Sequence, residues 1–277
     1  MLNLNPLLTL IIFPEHKYCE NDLYKLMEIL PIKIPKKSVG FDLFRTIADS
    51  KFKFQENDIL VISSKFVSMS EGSLIDLKTV KISKRAKALA SRFKIDERIA
   101  QVVLQQSEHI VSGIPGFLLT INNGMIAPNA GIDKSNCPPG KIILYPKDSF
   151  KSARQLCKKF FDKLGIRIGI VISDSRLMPT RIGCTGIAVG VCGFEPVEDE
   201  RGKKDLFGKK LRVTFKSTAD CLATMGVFVM GESNESIPIV VIRGADVIKT
   251  DRNLSMKDMT VEPKIDIYLR NLPSCDF

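Results

Sequence analysis

The chain has 277 residues, of which 44% are hydrophobic and 26% are charged, a composition typical of a globular protein with a sizeable core. No apolar run approaches the roughly 20 residues that cross a bilayer, so no membrane partner is expected. The formal net charge of +10 suits nucleic acid, a membrane surface or small polyanionic substrates. Because tryptophan is absent and no nucleic-acid-binding motif is recognisable, a small polyanion is favoured over nucleic acid.

The cysteine and histidine content excludes several kinds of site. Seven cysteines are scattered along the chain without a CxxC pair, which argues against a zinc site and a disulfide framework. We interpret them as buried free thiols in a reducing compartment, so a cytoplasmic location is expected. The two histidines, His16 and His109, exclude a histidine-rich metal site. Chemistry with a hard metal ion would therefore depend on carboxylates.

In the first half of the chain, short β-branched runs alternate with amphipathic helical patterns. Residues 26–34 form a loosely extended pattern that Pro31 interrupts. The spacing of apolar residues predicts helices over 83–94 and 97–106, and Asp96 is a suitable N-cap for the second helix. The strands predicted in this half lie over residues 58–64, 117–121 and 141–144.

The second half contains the clearest element, a helix predicted over 149–164 with Asp148 as its N-cap and Gly165 as its end. It leads into a strand over 167–173 that ends at Asp174. The remaining predicted elements are strands over 186–193, 211–215 and 238–243 and a helix over 219–230. The fold class is therefore α+β (mixed α/β), with long polar loops over 122–136 and 196–208 that are candidates for function.

Two acidic residues stand out by their position. Asp174 follows the apolar run 168–172 at the end of a buried strand, where α/β folds bind ligands, and the hydroxyl of Ser175 comes next. Asp133 lies in the loop 129–136, which is rich in donors and acceptors. Two such carboxylates brought together by folding would hold Mg²⁺ or Mn²⁺ against the phosphates of a nucleotide. The alternative is that Asp174 is a cap or turn residue.

A third loop, residues 230–236, separates the last predicted helix from the last predicted strand. Gly231 permits a close backbone approach, and Glu232 could ligate a second metal ion. The alternative is an exposed polar turn. The chain carries neither a P-loop motif nor a glycine-rich dinucleotide fingerprint in a suitable context, which excludes those two kinds of nucleotide site.

Taken in order, these segments resemble the ligases that add glutamate to the coenzyme F420 precursor, the coenzyme F420-0:L-glutamate (gamma-glutamyl) ligase family. Each motif alone is weak, and their shared order and spacing over residues 27–243 carry the resemblance. The matching segments are 58–64, Ser-Glu-Gly at 70–72, Asn-Ala-Gly-Ile-Asp-Lys-Ser-Asn at 129–136, Ile-Ser-Asp-Ser at 172–175, 186–190, Lys-Asp-Leu-Phe-Gly at 204–208, Ala-Asp at 219–220, Met-Gly-Glu at 230–232 and 241–244.

The resemblance implies a non-P-loop ligase fold that forms an intertwined homodimer. It divides the chain into an N-terminal extension (1–26), a ligase-like domain (27–250) and a C-terminal tail (251–277). In the implied reaction, GTP or ATP phosphorylates a carboxylate of a small acidic cofactor precursor. The amino group of L-glutamate then attacks the acyl phosphate to give a gamma-glutamyl-type amide.

The resemblance also implies roles for individual residues. Asp133 and Asp174 would be catalytic and would ligate one metal ion, with Ser175 and Glu232 near a second. The implied ions are Mg²⁺ or Mn²⁺, with K⁺ in addition, and they supply the positioning and charge neutralisation that phosphoryl transfer requires. The residues that would contact the nucleotide are Ile34, Pro35, Ser64, Lys65, Asn136, Met230, Gly231, Glu232, Ser233 and Asn234.

The chain departs from the family pattern at several nucleotide and substrate contacts. The family's Ser-Lys-Ala-Glu-Gly reads Ser-Met-Ser-Glu-Gly at 68–72, so Met69 stands where the family has a nucleotide-binding lysine. If residues 65–69 are extended, four residues span roughly 13 Å, which is beyond the reach of Lys65. A Gly-x-Pro segment of the family reads Lys-Ile-Pro at 33–35.

Because the proposed metal ligands are kept while these contacts change, the pattern favours the same chemistry on an altered substrate. A folate-like pterin is one alternative acceptor. A second alternative is a non-catalytic paralogue that binds a nucleotide or cofactor, since the lysine at position 69 is lost. A nucleic-acid-binding protein is a third, and it rests on net charge alone.

Overall fold

The computed structural model describes residues 26–262 and 264–270. Its strands in chain order are β1 (Glu28–Ile32), β2 (Ile59–Ser63), β3 (Leu74–Asp76), β4 (His109–Ile114), β5 (Phe117–Asn122), β6 (Met125–Pro128), β7 (Lys141–Ile143), β8 (Gly169–Leu177), β9 (Cys184–Cys192), β10 (Glu198–Asp199), β11 (Phe215–Lys216) and β12 (Ile239–Arg243). Its α-helices are α1 (Leu43–Ala48), α2 (Ser64–Glu71), α3 (Lys84–Phe93), α4 (Glu97–Gln106), α5 (Ser149–Leu164) and α6 (Thr218–Met230). The predicted extension, 1–26, lies outside the described residues apart from Leu26.

The centre of the fold is a five-stranded sheet with the strand order β1-β12-β2-β8-β9. Its inner strands are continuous runs of isoleucine, leucine and valine, which is typical of strands covered on both faces. Neighbouring strands are antiparallel except β2 and β8, which run parallel from Ile59 opposite Gly169 to Ser63 opposite Ser173. The carboxyl ends of β2 and β8 therefore meet at the same edge of the sheet.

One face of the central sheet packs against α5. The helix begins after Asp148, whose carboxylate accepts a hydrogen bond from the backbone N–H of Lys151 at 2.8 Å, and it ends at Gly165 in the left-handed conformation (φ 70°). Its apolar stripe, which includes the fully buried Phe160, joins Ile62 and Ile172 in the largest core cluster. Full burial of such a side chain contributes about 1.5–3 kcal/mol, so this stripe determines where the helix lies.

The other face of the sheet packs against α6, whose Leu222 and Ala223 join a second core cluster. Gly226 lets the helix approach closely, because a Cβ atom there would lie 2.4 Å from Val61 Cγ1. The loop that follows α6 leads into β12, and Ile239 at the start of β12 pairs with Ile62 near the end of β2. This loop therefore lies at the edge where β2 and β8 end.

A smaller unit consists of α3 and α4 packed on the antiparallel sheet β4-β5-β6. Leu89, Ala100 and Leu118 are buried in its core cluster. After β6, a short 3-10 helix at Asn129–Gly131 carries the chain into the segment that contains Asp133. The smaller unit thus delivers one of the two candidate aspartates to the central sheet.

Most of the predicted elements are confirmed. The helices predicted over 83–94, 97–106, 149–164 and 219–230 are α3, α4, α5 and α6. The strands predicted over 58–64, 117–121, 141–144, 186–193 and 238–243 are β2, β5, β7, β9 and β12. The mixed α+β class is therefore correct, with several separate sheets.

Two predictions near the candidate site are wrong. Residues 65–69 are not extended but belong to α2, an eight-residue helix that follows β2 directly. Asp174 does not end its strand, because β8 continues to Leu177 as one arm of a hairpin with β9. What ends beside Asp174 is the parallel pairing with β2, whose last pair is Ser63 and Ser173.

Three further segments differ from expectation. The strand predicted over 211–215 is reduced to β11, which pairs with β10 inside the predicted loop 196–208. The predicted loop 122–136 contains β6 and a 3-10 helix. The extended pattern over 26–34 is β1, and Pro31 lies within it, paired with Val240. Proline is tolerated there because β1 is an edge strand.

The described cysteines are free thiols, as expected, but Cys184 and Cys221 are exposed, so their predicted burial is wrong. Within the described ranges, no helix is long and apolar enough to cross a membrane. In the predicted tail, Leu254 is buried, and its carbonyl oxygen accepts a hydrogen bond from Arg154 at 3.1 Å. The first part of the tail therefore packs on the domain.

Candidate functional site

A cavity of about 700 Å³ opens at the edge where β2 and β8 end. Its wall is formed by stretches within residues 34–39, 63–69, 133–139, 173–175 and 227–238. These are the loops and element ends that the topology brings to this edge. The charged side chains of the wall are the lysines Lys36, Lys37 and Lys65 and the carboxylates Asp133, Asp174, Glu232 and Glu235. The lysines of the cavity can therefore bind a polyanion, and its carboxylates can bind a cation.

Asp174 is held in the cavity wall by two neutral hydroxyl groups. Its Oδ1 accepts a hydrogen bond from Ser64 Oγ at 3.2 Å, and its Oδ2 accepts one from Tyr145 Oη at 2.5 Å. Burial raises the pKa of Asp174 above its usual value, and the two hydrogen bonds and the charge of Arg176 oppose this shift. Among the ion pairs of the described residues, none involves Asp174. The Asp174 carboxyl group therefore has no ion-pair partner among these residues.

Asp133 is held differently, because a lysine accompanies it. Lys65 Nζ lies 2.6 Å from Asp133 Oδ2 and 2.6 Å from Ser135 Oγ, while the backbone N–H of Ser135 donates to Asp133 Oδ1 at 2.6 Å. Burial, the largest influence, raises the pKa of Asp133, but Lys65 and Ser135 together lower the net pKa below its usual value. Asp133 is therefore an ionised carboxylate that is paired with the ammonium group of Lys65.

The two aspartates belong to one site, since both line the cavity and the charge of Asp133 raises the pKa of Asp174. Within residues 26–262 and 264–270, no three histidine, cysteine or acidic side chains are arranged to hold a metal ion on their own. The donors present are carboxylate and hydroxyl oxygens, which suit Mg²⁺ or Mn²⁺. Such an ion would complete its shell with phosphate oxygens and water, as Mg²⁺ commonly does.

The loop 231–236 closes one side of the cavity. Gly231 has a φ of 73°, which favours glycine, and a Cβ atom there would lie 2.4 Å from the carboxyl group of Glu235 and would have to displace it. The Glu235 carboxylate accepts a hydrogen bond from the backbone N–H of Ser233 at 2.9 Å. Asn136 Nδ2 donates to the Ser233 carbonyl oxygen at 2.8 Å. These contacts tie the loop to the segment that carries Asp133.

The structure brings nearly all of the predicted site residues to the cavity. Those that line it are Ile34, Pro35, Lys65, Asp133, Asn136, Asp174, Ser175, Met230, Gly231, Glu232, Ser233 and Asn234. Ser64 is the exception, because it is buried behind the wall and donates to Asp174. Glu232 and Ser175 are exposed.

Sequence reasoning missed three residues of the site. Tyr145 and Ser135 hold the two aspartates, and Glu235 shapes the loop 231–236. Ser135 and Glu235 lie inside segments already singled out, so their sequence neighbourhood was the available signal. For Tyr145 the sole signal was its place directly after a predicted strand.

The chain matches the F420-0:gamma-glutamyl ligase family over residues 31–244. The coenzyme F420:L-glutamate ligase of Methanopyrus kandleri is 38% identical, over 79% of this chain and 87% of its own length. That of Archaeoglobus fulgidus is 34% identical, over 90% of this chain and 99% of its own. That of Methanocaldococcus jannaschii is 37% identical, over 80% and 89%. The chain therefore belongs to the F420-0:gamma-glutamyl ligase family, whose members are ligases that form carbon–nitrogen bonds, and is itself such an enzyme.

Proposed function

We propose that this enzyme uses a nucleoside triphosphate and divalent cations to join L-glutamate, through an amide bond, to a carboxylate of F420-0 or a related small acidic acceptor. The observation that carries the proposal is the state of Asp174, a half-buried carboxylate with neutral hydrogen-bond donors, in a cavity wall that also holds Asp133 and three lysines. Glutamate and the acceptor come from the names of the relatives.

The proposed chemistry has two displacements. An acceptor carboxylate oxygen attacks the γ-phosphorus, the bond from phosphorus to the bridging oxygen breaks, and a nucleoside diphosphate leaves. The amino nitrogen of glutamate then attacks the acyl carbon, the bond from that carbon to the phosphate oxygen breaks, and phosphate leaves while the nitrogen loses a proton. The first step places negative charge on the departing diphosphate and the second places it on the departing phosphate, so positioning and charge neutralisation dominate catalysis.

The cavity side chains divide these tasks. Lys36, Lys37 and Lys65 neutralise phosphate oxygens, while Asp133 and Asp174 hold a divalent cation beside them. When bound, this cation neutralises charge on the phosphates and orients the γ-phosphoryl group. We also propose that Ser175 and Glu232 help to ligate a second divalent cation, and that K⁺ binds in addition. The loop 231–236 and the segment at 34–37 then enclose the nucleotide, which is GTP or ATP.

An intertwined homodimer is part of the same proposal. Large apolar side chains are exposed on the surface of the described residues, which is common at protein interfaces. They include Ile182, Leu206, Phe207, Val213 and Phe228, each more than 80% exposed. Sedimentation velocity decides this point, with a mass near twice 30.9 kDa expected and a monomer at all concentrations contradicting it.

The reaction is tested by mixing the purified protein with Mg²⁺ or Mn²⁺, GTP or ATP, L-glutamate and a panel of acceptors. We expect an acceptor heavier by one glutamyl residue, together with nucleoside diphosphate, when F420-0 is present. D133N and D174N should keep the fold and lose turnover. If no acceptor gives an amide product or diphosphate, the catalytic proposal fails.

Two alternatives are decided by the same experiment. Product with a folate-like pterin instead of F420-0 would identify the altered acceptor that the changed contacts suggest. A non-catalytic binding protein is the second alternative, and Met69 is the observation that favours it, because this residue contributes no charge to the cavity wall. Tight nucleotide binding in calorimetry without turnover on any acceptor would support it.

A further inference from the structure

The side chain of Tyr145 contacts both segments that carry the proposed metal ligands. Its hydroxyl donates a hydrogen bond of 2.5 Å to Asp174 Oδ2. Its ring lies against Gly131, where a Cβ atom would come within 2.1 Å of the ring carbon Cε2. Gly131 precedes Asp133 by two residues. One aromatic side chain therefore links the two aspartate-bearing segments.

The backbone just before Tyr145 fixes Asp133. Ile143, the last residue of β7, accepts a hydrogen bond from the Asp133 backbone N–H at 3.0 Å and donates one to the Asp133 carbonyl oxygen at 2.9 Å. Ile143 is itself buried and paired with Leu74 of β3. Residues 143–145 therefore hold the backbone of one aspartate and the side chain of the other.

The donors on Asp174 orient its carboxylate and leave its charge in place. Each oxygen accepts one hydrogen bond from an uncharged hydroxyl, Ser64 on Oδ1 and Tyr145 on Oδ2. A lysine or arginine in the position of Tyr145 would instead neutralise the carboxylate and compete with a metal ion. The contrast with Asp133, which has Lys65 as its partner, shows that the fold treats the two carboxylates differently.

We propose that Tyr145 is a positioning residue that fixes the Asp174 carboxylate relative to Asp133 for the binding of one divalent cation. This inference rests on the proposed function, because it concerns the same site. Hydrogen bonds from outer residues orient metal-ligating carboxylates, and losing such a partner typically costs roughly 10–100-fold in metal affinity. The hydroxyl group orients the Asp174 carboxylate, and packing of the ring on Gly131 holds the hydroxyl group in place.

Two substitutions separate the hydroxyl from the ring. Tyr145→Phe keeps the ring on Gly131 and removes the O–H group, whereas Tyr145→Leu removes both. Mn²⁺ binding without nucleotide is measured by electron paramagnetic resonance of free Mn²⁺, on the wild type, both variants and D174N. We expect Y145F to bind Mn²⁺ roughly 10–100-fold more weakly than the wild type, close to Y145L, with circular dichroism unchanged. Tyr268→Phe, at a side chain that is 62% exposed and outside the cavity wall, is the matched control and should bind normally.

The results distinguish this inference from the proposed function. A Y145F affinity within about twofold of the wild type overturns the inference, because the ring would then account for the whole role of Tyr145. If the wild type binds Mn²⁺, D174N does not and Y145F does, the metal site stands and the positioning role fails. If the wild type itself binds no Mn²⁺, the metal site and the inference fail together.

Discussion

At the scale of single residues, the site depends on a charge that the metal-free fold does not neutralise with an ion pair. Burial raises the pKa of Asp174 above its usual value of 3.8, so the folded protein binds a proton there more tightly than the unfolded chain does. By linkage, the free energy of unfolding then decreases as pH rises between the two pKa values. Below pH 3.8 both states are protonated and this loss is absent. Above the raised folded pKa the loss is complete.

Asp174→Asn should therefore raise the melting temperature of the metal-free protein at pH 7, by about 2–4 °C for each kcal/mol regained. The neutral amide keeps an acceptor for Tyr145 or Ser64 and removes the buried charge. Differential scanning calorimetry in the presence of a chelator should show the gap between variant and wild type narrowing as pH falls from 7. Saturating Mn²⁺ should stabilise the wild type alone, because binding to the native state raises its stability. A variant less stable than the metal-free wild type at pH 7 would contradict this reasoning.

Lys65 and a metal ion compete for the same oxygen, since Lys65 Nζ lies 2.6 Å from Asp133 Oδ2. Lys65→Met keeps the aliphatic stem and removes the ammonium group. We expect Mn²⁺ alone to bind K65M more tightly than the wild type, because its competitor is gone. The affinity for Mn²⁺ with a nucleoside triphosphate should fall about tenfold or more, since a hydrogen bond to a charged group contributes about 1.5–3 kcal/mol. Titration calorimetry measures both, with Lys163→Met on the exposed face of α5 as control. Changes of the same sign in the two affinities would exclude the competition.

Sequence patterns could identify Asp133 and Asp174, because each lies in a short motif whose order along the chain resembles a known family. They could not identify Tyr145, whose importance comes from a hydroxyl partner 29 positions away in the chain. Ser64 shows the same limit. The motif marks it as a nucleotide contact, whereas in the structure its side chain is buried and donates a hydrogen bond to Asp174. The direction of a side chain depends on tertiary packing, so a local sequence pattern does not predict it.

At the scale of elements, the strands and longer helices could be predicted and α2 could not. The long helices show clear periodicity and carry caps, and the inner strands are unbroken β-branched runs. Residues 64–71 contain three serines and a valine, which have modest helix propensity, and they follow β2 without an intervening turn. Burial of Phe66 and Val67 in the main core selects the helix against this local preference.

The helical conformation of α2 changes the expected consequence of having methionine at position 69. Four residues of an α-helix rise about 6 Å and return to the same face, so Lys65 and Met69 both line the cavity. The prediction that Lys65 lies out of reach is therefore wrong, because it assumed an extended chain. Lys65 and a lysine at position 69 would both face the same cavity.

Met69→Lys should accordingly add a second cation on the same helix face. We expect the affinity for a nucleoside triphosphate to increase by about tenfold at low salt, through a charge-assisted contact with phosphate. The gain should shrink at 1 M salt, where charges are screened within roughly 3 Å. Lys87→Met, at an exposed position of α3, removes a positive charge away from the cavity and is the control. An unchanged affinity at low salt would show that position 69 does not face the phosphates.

At the scale of the whole molecule, the central sheet keeps the ligand cavity apart from an ion pair that stabilises the fold. The cavity lies where β2 and β8 end, and a buried ion pair lies at the other end of β2. There Asp58 accepts hydrogen bonds from Arg243 Nε at 2.8 Å and from the second guanidinium nitrogen at 2.9 Å, which joins the start of β2 to the end of β12. The five residues of β2 place roughly 16 Å between the two ends. Changes at the ion pair should therefore affect stability and leave ligand affinity alone.

Asp58 is more deeply buried than Arg243. This difference predicts which substitution lowers the free energy of unfolding more. The Asp58 side chain is 0% exposed, while that of Arg243 is 22% exposed. Arg243→Met strands a buried carboxylate with one remaining donor, the backbone N–H of Gln55, and should lower the free energy of unfolding by about 3–5 kcal/mol. Asp58→Asn leaves a guanidinium that can turn to water, so its cost should be smaller, about 1.5–3 kcal/mol for a lost charged hydrogen bond. Urea unfolding measures both, and nucleotide affinity measured well below the melting temperature should match the wild type. A larger loss in D58N than in R243M would show that burial does not govern this pair.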